Sequence, residues 1–301
     1  MRLIPLLLDF NDSPTRLTVA HQVAAGRLAW DVKLLYDRET RRSMQFAETV
    51  DGQPNLAATV IKMNQNLPQD AQGDYLWERH GKVNQTDDDW YNISQYLEDT
   101  TTFSWENDLI IAWINGNPGD HTGIGGPYRA DAWNATRDAS KGGVALNGIG
   151  QVTSYLGANF GTSWARRMVL YAAHETGHAL GERHSGFDEN GVESPNAPGY
   201  YMNVMGYGYN FLSAGLEDKR TGNYFEEGGL FTKTQRARIE QHSVFVDRPD
   251  EATPVDPGKY DGKELRIDSL AALLTVIDNE TIGKEEVIAR LNIGPMQSER
   301  T

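Results

Sequence analysis

The segment His174–Gly186, HETGHALGERHSG, constrains this chain more than any other. Three of the seven histidines fall inside it, at spacings of four and six. Residues four apart leave a helix from one face, one turn above the other, so His174 and His178 present two imidazoles to a common point. A straight helix would carry residue 184 far past that point. Gly181 stands between, and a glycine can take positive φ, end the helix and swing the chain back. His184 then becomes the third ligand of one divalent ion. Three protein ligands with an open position is the layout of a catalytic zinc site, whereas a structural site is closed by four. Glu175, beside the first ligand, can reach a water at the open position without being a ligand itself.

The helix that carries this motif should run from Trp164 to Leu180, capped by Thr162 or Ser163. Ala165, Met168, Val169, Ala172, Thr176 and Ala179 recur at helical spacing and form a core-facing stripe, roughly opposite the two histidines. Elsewhere, MRLIPLLLDF reads as a first buried strand. Its apolar run is too short for a signal-peptide core, and no small-residue cleavage site follows. Residues 18–32 have a partly helical spacing, and WYNISQYLEDT (90–100) reads as a short helix. DLIIAWI (Asp108–Ile114) is the clearest strand, and GGVALNGIG (Gly142–Gly150) a second. HTGIGGPYRA (His121–Ala130) reads as a glycine-rich turn. Phe231–His242 is a further helix, with Thr232 and Gln235 at capping-box spacing. Asp247–Gly262, with three prolines, reads as a linker, and 263–301 as a small helical appendage. The Asp and Gly spacing there does not match a calcium-binding EF loop.

Composition narrows the chemistry. The chain has no cysteine, so disulfides, thiolate metal sites and cysteine nucleophiles are excluded. A net charge of −14 repels phosphate backbones and anionic membrane surfaces, so neither nucleic acid nor membrane is an expected partner. No run approaches the length of a transmembrane helix.

His174, Glu175, His178, Gly181 and His184 occupy every fixed position of H-E-x-x-H-x-x-G-x-x-H. Downstream, NVMGYGYN (Asn203–Asn210) places Met205 two residues before Tyr207. Together these resemble the metzincin zinc metalloproteases. The resemblance implies an α+β, zincin-like fold: a twisted mixed sheet, an active-site helix and a smaller C-terminal subdomain. It would span residues 1–246, with the cleft near 174–210. It implies one catalytic Zn²⁺ on His174, His178 and His184, Glu175 as general base, and Met205 in the methionine turn beneath the metal, Met202 being the weaker candidate. Tyr207 would ligate the resting metal or hydrogen-bond the tetrahedral intermediate. A protein or peptide substrate would lie extended on an edge strand between Gly119 and Trp133. A secreted enzyme is implied, although no signal peptide is visible in the chain. Ser185 resembles the matrixins, while M-x-Y and FTxxQxAR resemble pappalysins, astacins or serralysins. GIGG resembles an ion-holding matrixin loop, but Pro127, Tyr128 and Arg129 stand where a histidine would follow, so no second zinc is expected. Asp120, Asp188 and Glu189 are the acidic residues available to a Ca²⁺ ion. Two other readings stand beside the endopeptidase: a zinc-stabilised binding or adhesion module without catalysis, and a zinc hydrolase of short peptides or amides.

Overall fold

Two apolar runs, LIPLLLD and LIIAWIN, lie side by side in one sheet. The computed structural model describes residues 1–13, 16–40, 42–67, 88–115, 123–128, 138–157, 163–185, 203–206 and 230–247. In chain order the elements are β1 (Leu3–Asp9), α1 (Val19–Thr40), β2 (Ser43–Met44), β3 (Thr59–Lys62), α2 (Asp88–Thr100), β4 (Leu109–Asn115), β5 (Gly123–Pro127), β6 (Gly143–Gly148), α3 (Ile149–Gly157), α4 (Ser163–Ala179), α5 (Lys233–Ile239) and β7 (Phe245–Val246). The main sheet has the order β3-β1-β4-β6-β5. The first four of these strands are parallel, and β5 runs antiparallel to β6 at the edge. The fold is therefore mixed α/β with a mixed sheet, compatible with the α+β class.

Both faces of the sheet are covered, which is why β1 and β4 read as continuous rather than alternating apolar runs. Leu3 and Leu7 of β1, and Leu109, Ile111 and Trp113 of β4, join the core with α1, α3 and α4. Ile4, Leu6 and Leu8, with Ile110, Ala112 and Ile114, turn to the other face, where Ile93 and Leu97 of α2 meet them. A pleated strand sends successive side chains to opposite faces, so these runs supply two cores at once.

The helix α1 extends well past the partly helical 18–32 segment, to Thr40. Lys33 pairs with Asp37 one turn on, Thr40 Oγ1 donates to the Tyr36 carbonyl, and Asp37 Oδ1 accepts from the Met44 amide at 2.6 Å. These contacts carry the helix through its polar end and hand the chain to β2, which pairs antiparallel with β7.

Two expectations change. GGVALNGIG is a strand only to Gly148; Ile149 already opens α3, with no intervening loop. The GIGG segment is a strand and not a turn, pairing Gly123–Pro127 with Asn147–Gly143. It falls within 119–133, where the edge strand was expected. The 248–301 segment lies outside the described residues. Among the described residues, no helix is long and apolar enough to cross a membrane.

Candidate metal centre

The helix α4 packs across β5 and β6 on the face it shares with α1 and α3. Every residue of its expected stripe is buried: Ala165, Met168, Val169, Ala172, Thr176 and Ala179. Its approach to β5 is close enough that a side chain would not fit. A Cβ on Gly125 would fall 2.1 Å from the Glu175 carbonyl oxygen and 3.0 Å from His178 Cβ. The helix begins at Ser163; Thr162, the other cap candidate, lies outside the described residues.

The C-terminal end of α4 behaves as the motif demands. Gly181 has φ +83°. Its amide donates to the His178 carbonyl, and the Glu182 amide donates to the Gly177 carbonyl, both at 2.8 Å. This 5→2 and 6→1 pair is a Schellman motif, and it reverses the chain toward the two helical histidines. The result is a triangle of imidazole nitrogens. The Nε2–Nε2 separations are 3.2 Å for His174–His178, 3.1 Å for His174–His184 and 3.0 Å for His178–His184.

The three residues can hold one metal ion. The hydrogen bonds behind them show why. His174 Nδ1 donates to the Val204 carbonyl at 2.6 Å, and His178 Nδ1 to the Glu182 carbonyl at 2.7 Å. A carbonyl only accepts, so both Nδ1 atoms carry the proton and both Nε2 atoms turn lone pairs inward. Two lone pairs facing each other at 3.2 Å repel unless a cation lies between them. Three nitrogens bound at 2.0–2.1 Å with tetrahedral angles would stand about 3.3 Å apart, close to the spacings seen.

Glu175 is half-buried on the next residue of the same helix, against β5, where a Cβ on Gly123 would lie 2.5 Å from its Cγ. Burial lifts its carboxyl to about 8. A divalent ion at the imidazoles acts in the opposite sense, by favouring the carboxylate.

Met205 is fully buried. Its sulfur lies against the α4 backbone, 2.2 Å from where a Cβ on Gly177 would stand. Its carbonyl accepts from the Ser185 amide at 2.8 Å, tying the turn to the residue after His184. Tyr207, Met202, Asp120, Asp188 and Glu189 lie outside the described residues.

Several residues around the centre were not singled out from the sequence. Asn203 Oδ1 accepts from the Met205 amide at 2.7 Å, and Asn203 Nδ2 donates to Gln235 Oε1 at 2.9 Å. Glu182 has its carboxylate buried, and Arg238 of α5 grips it with Nε at 3.1 and 3.2 Å and with Nη2. Glu39 Oε2 accepts from the Leu230 amide at 2.8 Å, and the Leu230 carbonyl accepts from Val204. An acidic residue wedged between Gly181 and His184 was the one sequence signal for Glu182; Gln235 showed only its capping role.

No protein-family model and no curated protein sequence matches the chain. Among solved structures it is similar to wild-type OgpA from Akkermansia muciniphila, with a TM-score of 0.42 and 16% identity over 83% of this chain and 64% of that one. It is also similar to catalytically inactive OgpA in complex with an O-glycopeptide (glycodrosocin) substrate, with a TM-score of 0.41 and 15% identity over 85% and 64%. The chain thus spans just under two thirds of the OgpA length. A likeness this distant assigns neither family nor activity.

Proposed function

We propose that this chain is a zinc-dependent endopeptidase of the metzincin type, acting on proteins or peptides outside the cell. The observation that carries the reading is the inward-facing triangle of His174, His178 and His184 with Glu175 on the adjoining helical position. Neutral imidazoles at these spacings fit Zn²⁺, and three ligands leave a position for substrate chemistry. When bound, the ion would supply a Lewis acid that polarises a carbonyl and makes a water easier to deprotonate. Glu175 takes the proton from the attacking water and delivers it to the leaving amine, so one carboxyl serves both half-steps. Its partly desolvated position against β5 keeps its affinity for that proton high enough to make the transfer useful. The β5 edge offers main-chain donors and acceptors to an extended substrate, a mode of recognition that accepts many sequences. Met205 packs beneath the imidazoles and does no chemistry. Tyr207, two residues on, is proposed as a ligand or hydrogen-bond donor at the same centre. Residues 1–246 form the catalytic unit in this reading, 247–262 a linker and 263–301 an appendage.

The test compares wild type with Glu175→Ala at equal zinc content, on casein or gelatin, with and without a chelator. Loss of hydrolysis in the variant with zinc retained supports the proposal. Zinc bound by a wild type that cleaves neither proteins nor short peptides would instead favour the binding-module reading. Cleavage of short peptides or amides alone would narrow the activity to the smaller hydrolase.

A further inference from the structure

Two of the three imidazoles owe their orientation to carbonyl oxygens, and both carbonyls are held by one short helix. The first route starts at the N-terminal end of α5. Gln235 is buried, and its Oε1 accepts from the Thr232 amide at 3.0 Å while Thr232 Oγ1 accepts from the Gln235 amide at 3.2 Å. The same Oε1 accepts from Asn203 Nδ2, and Asn203 Oδ1 holds the Met205 amide. Val204, between these two residues, presents the carbonyl that His174 Nδ1 donates to. The second route starts one helical turn later. Arg238 grips the Glu182 carboxylate, and the Glu182 carbonyl receives the proton of His178 Nδ1. Gln235 and Arg238 are three residues apart and so lie on one face of α5.

We infer that α5 is a positioning element for the metal centre, in which Gln235 orients His174 through Asn203 and Val204, and Arg238 orients His178 through Glu182. The inference rests on the metal-site reading above. Three features argue for orientation rather than general packing. Gln235 Oε1 takes two donors at once, so the cap and the turn cannot move independently. The Glu182 carboxylate is fully buried yet sits on the surface-turning loop between Gly181 and His184, a costly place for a charge unless it holds something. The Arg238 fork meets it through two nitrogens, which fixes direction as well as distance. The amide and carbonyl of Glu182 then serve opposite purposes: one closes the end of α4, the other sets the His178 tautomer.

The experiment measures zinc affinity by competition with a chromophoric chelator, on the full chain, alongside the unfolding of the metal-free protein. Gln235→Leu and Arg238→Met are each expected to weaken zinc binding by about 10–100-fold, the usual cost of losing a partner behind a metal ligand. Gln235→Glu keeps an acceptor oxygen for both donors and should retain wild-type affinity. Arg238→Lys keeps the charge but loses the fork, and should fall between wild type and Arg238→Met. Thr234→Ala, at an exposed position of the same helix, should change nothing. The cobalt(II)-substituted forms give a second readout, since turning an imidazole changes the visible absorption of the ion. Lower melting temperatures with unchanged zinc affinity and an unchanged cobalt spectrum in Gln235→Leu and Arg238→Met overturn the inference. A wild type that binds no zinc overturns the functional reading and this inference with it, so the two failures are distinguishable.

Discussion

The most demanding consequence of this fold is a single methyl group at Gly125. The edge strand β5 lies so near α4 that a Cβ there would stand 2.1 Å from the Glu175 carbonyl oxygen and 2.9 Å from its carbonyl carbon. Both neighbours are backbone, so neither can swing aside as a side-chain tip would. Relieving the overlap needs β5 and α4 to part by about 1 Å, an overpacking strain near the top of the usual 1–3 kcal/mol. Alanine recovers about 0.5–1 kcal/mol of the chain entropy that glycine loses in a strand, leaving a net destabilisation of about 2 kcal/mol. At about 2–4 °C per kcal/mol, Gly125→Ala should melt about 4–8 °C below wild type by calorimetry. The damage is local to the site, because the third nearest atom is His178 Cβ at 3.0 Å. A 1 Å displacement of a reacting group costs on the order of 100-fold in rate, so the proposed peptide hydrolysis should fall by about that factor. Gly157→Ala is the matched control: a Cβ at Gly157, the last residue of α3, meets nothing within 4 Å among the described residues. It should leave the melting temperature unchanged or raise it slightly. If Gly125→Ala melts and hydrolyses like wild type, the close packing of β5 on α4 is wrong, and so is the placement of Glu175 against that strand.

Other outcomes follow from groups around this frame. If the centre holds zinc as proposed, stripping it with a chelator should lower the melting temperature, and adding back micromolar zinc should restore it, because an ion bound only by the folded chain stabilises it by mass action. Met205→Leu should reduce thermal stability yet keep zinc content and hydrolysis, since the residue is proposed to pack and do no chemistry; loss of activity at full zinc content would count against that role. Glu39→Ala removes a buried acceptor for the Leu230 amide and should cost about 1–3 kcal/mol in urea unfolding. Asp31 gives a pH signature. It is buried, accepts from Tyr155 Oη at 2.7 Å, and burial raises its carboxyl from 3.8 to about 6. A raised acid favours the folded state fully below its unfolded value, and that advantage drains away as pH rises through the folded value. Stability of the wild type relative to Asp31→Asn should therefore fall between pH 4 and pH 7, by up to about 3 kcal/mol. Parallel urea midpoints across that range would refute the assignment.

The site was the most legible part of the chain, because its geometry is local. A helix sets the relation of His174 to His178, and a Schellman turn at Gly181 sets that of His184, so eleven consecutive residues carry the whole triangle. The capping box of α5 and the buried stripe of α4 were readable for the same reason. The sheet was legible only where both faces are buried, as in LIPLLLD and LIIAWIN. The α3 helix went unread because β6 passes into it through Asn147–Gly148–Ile149 without a polar turn to mark the change. The β5 strand is legible only through the family resemblance, which implies an edge strand within 119–133; by themselves its glycines carry no strand preference, and they are there because α4 leaves no room for side chains at Gly123 and Gly125.

Periodicity and one glycine were thus enough to decide that three imidazoles can meet at a point, since every relevant distance is spanned by a single helix and its cap. What lies behind those imidazoles was decided only by folding. Arg238 reaches Glu182 across 56 residues, Asn203 reaches Gln235 across 32, and Glu39 reaches Leu230 across 191. No periodicity connects such positions. They meet because burial in one core, on a single face of the main sheet, brings α1, α4 and α5 together, and each buried polar group then takes the partner that the packing places beside it.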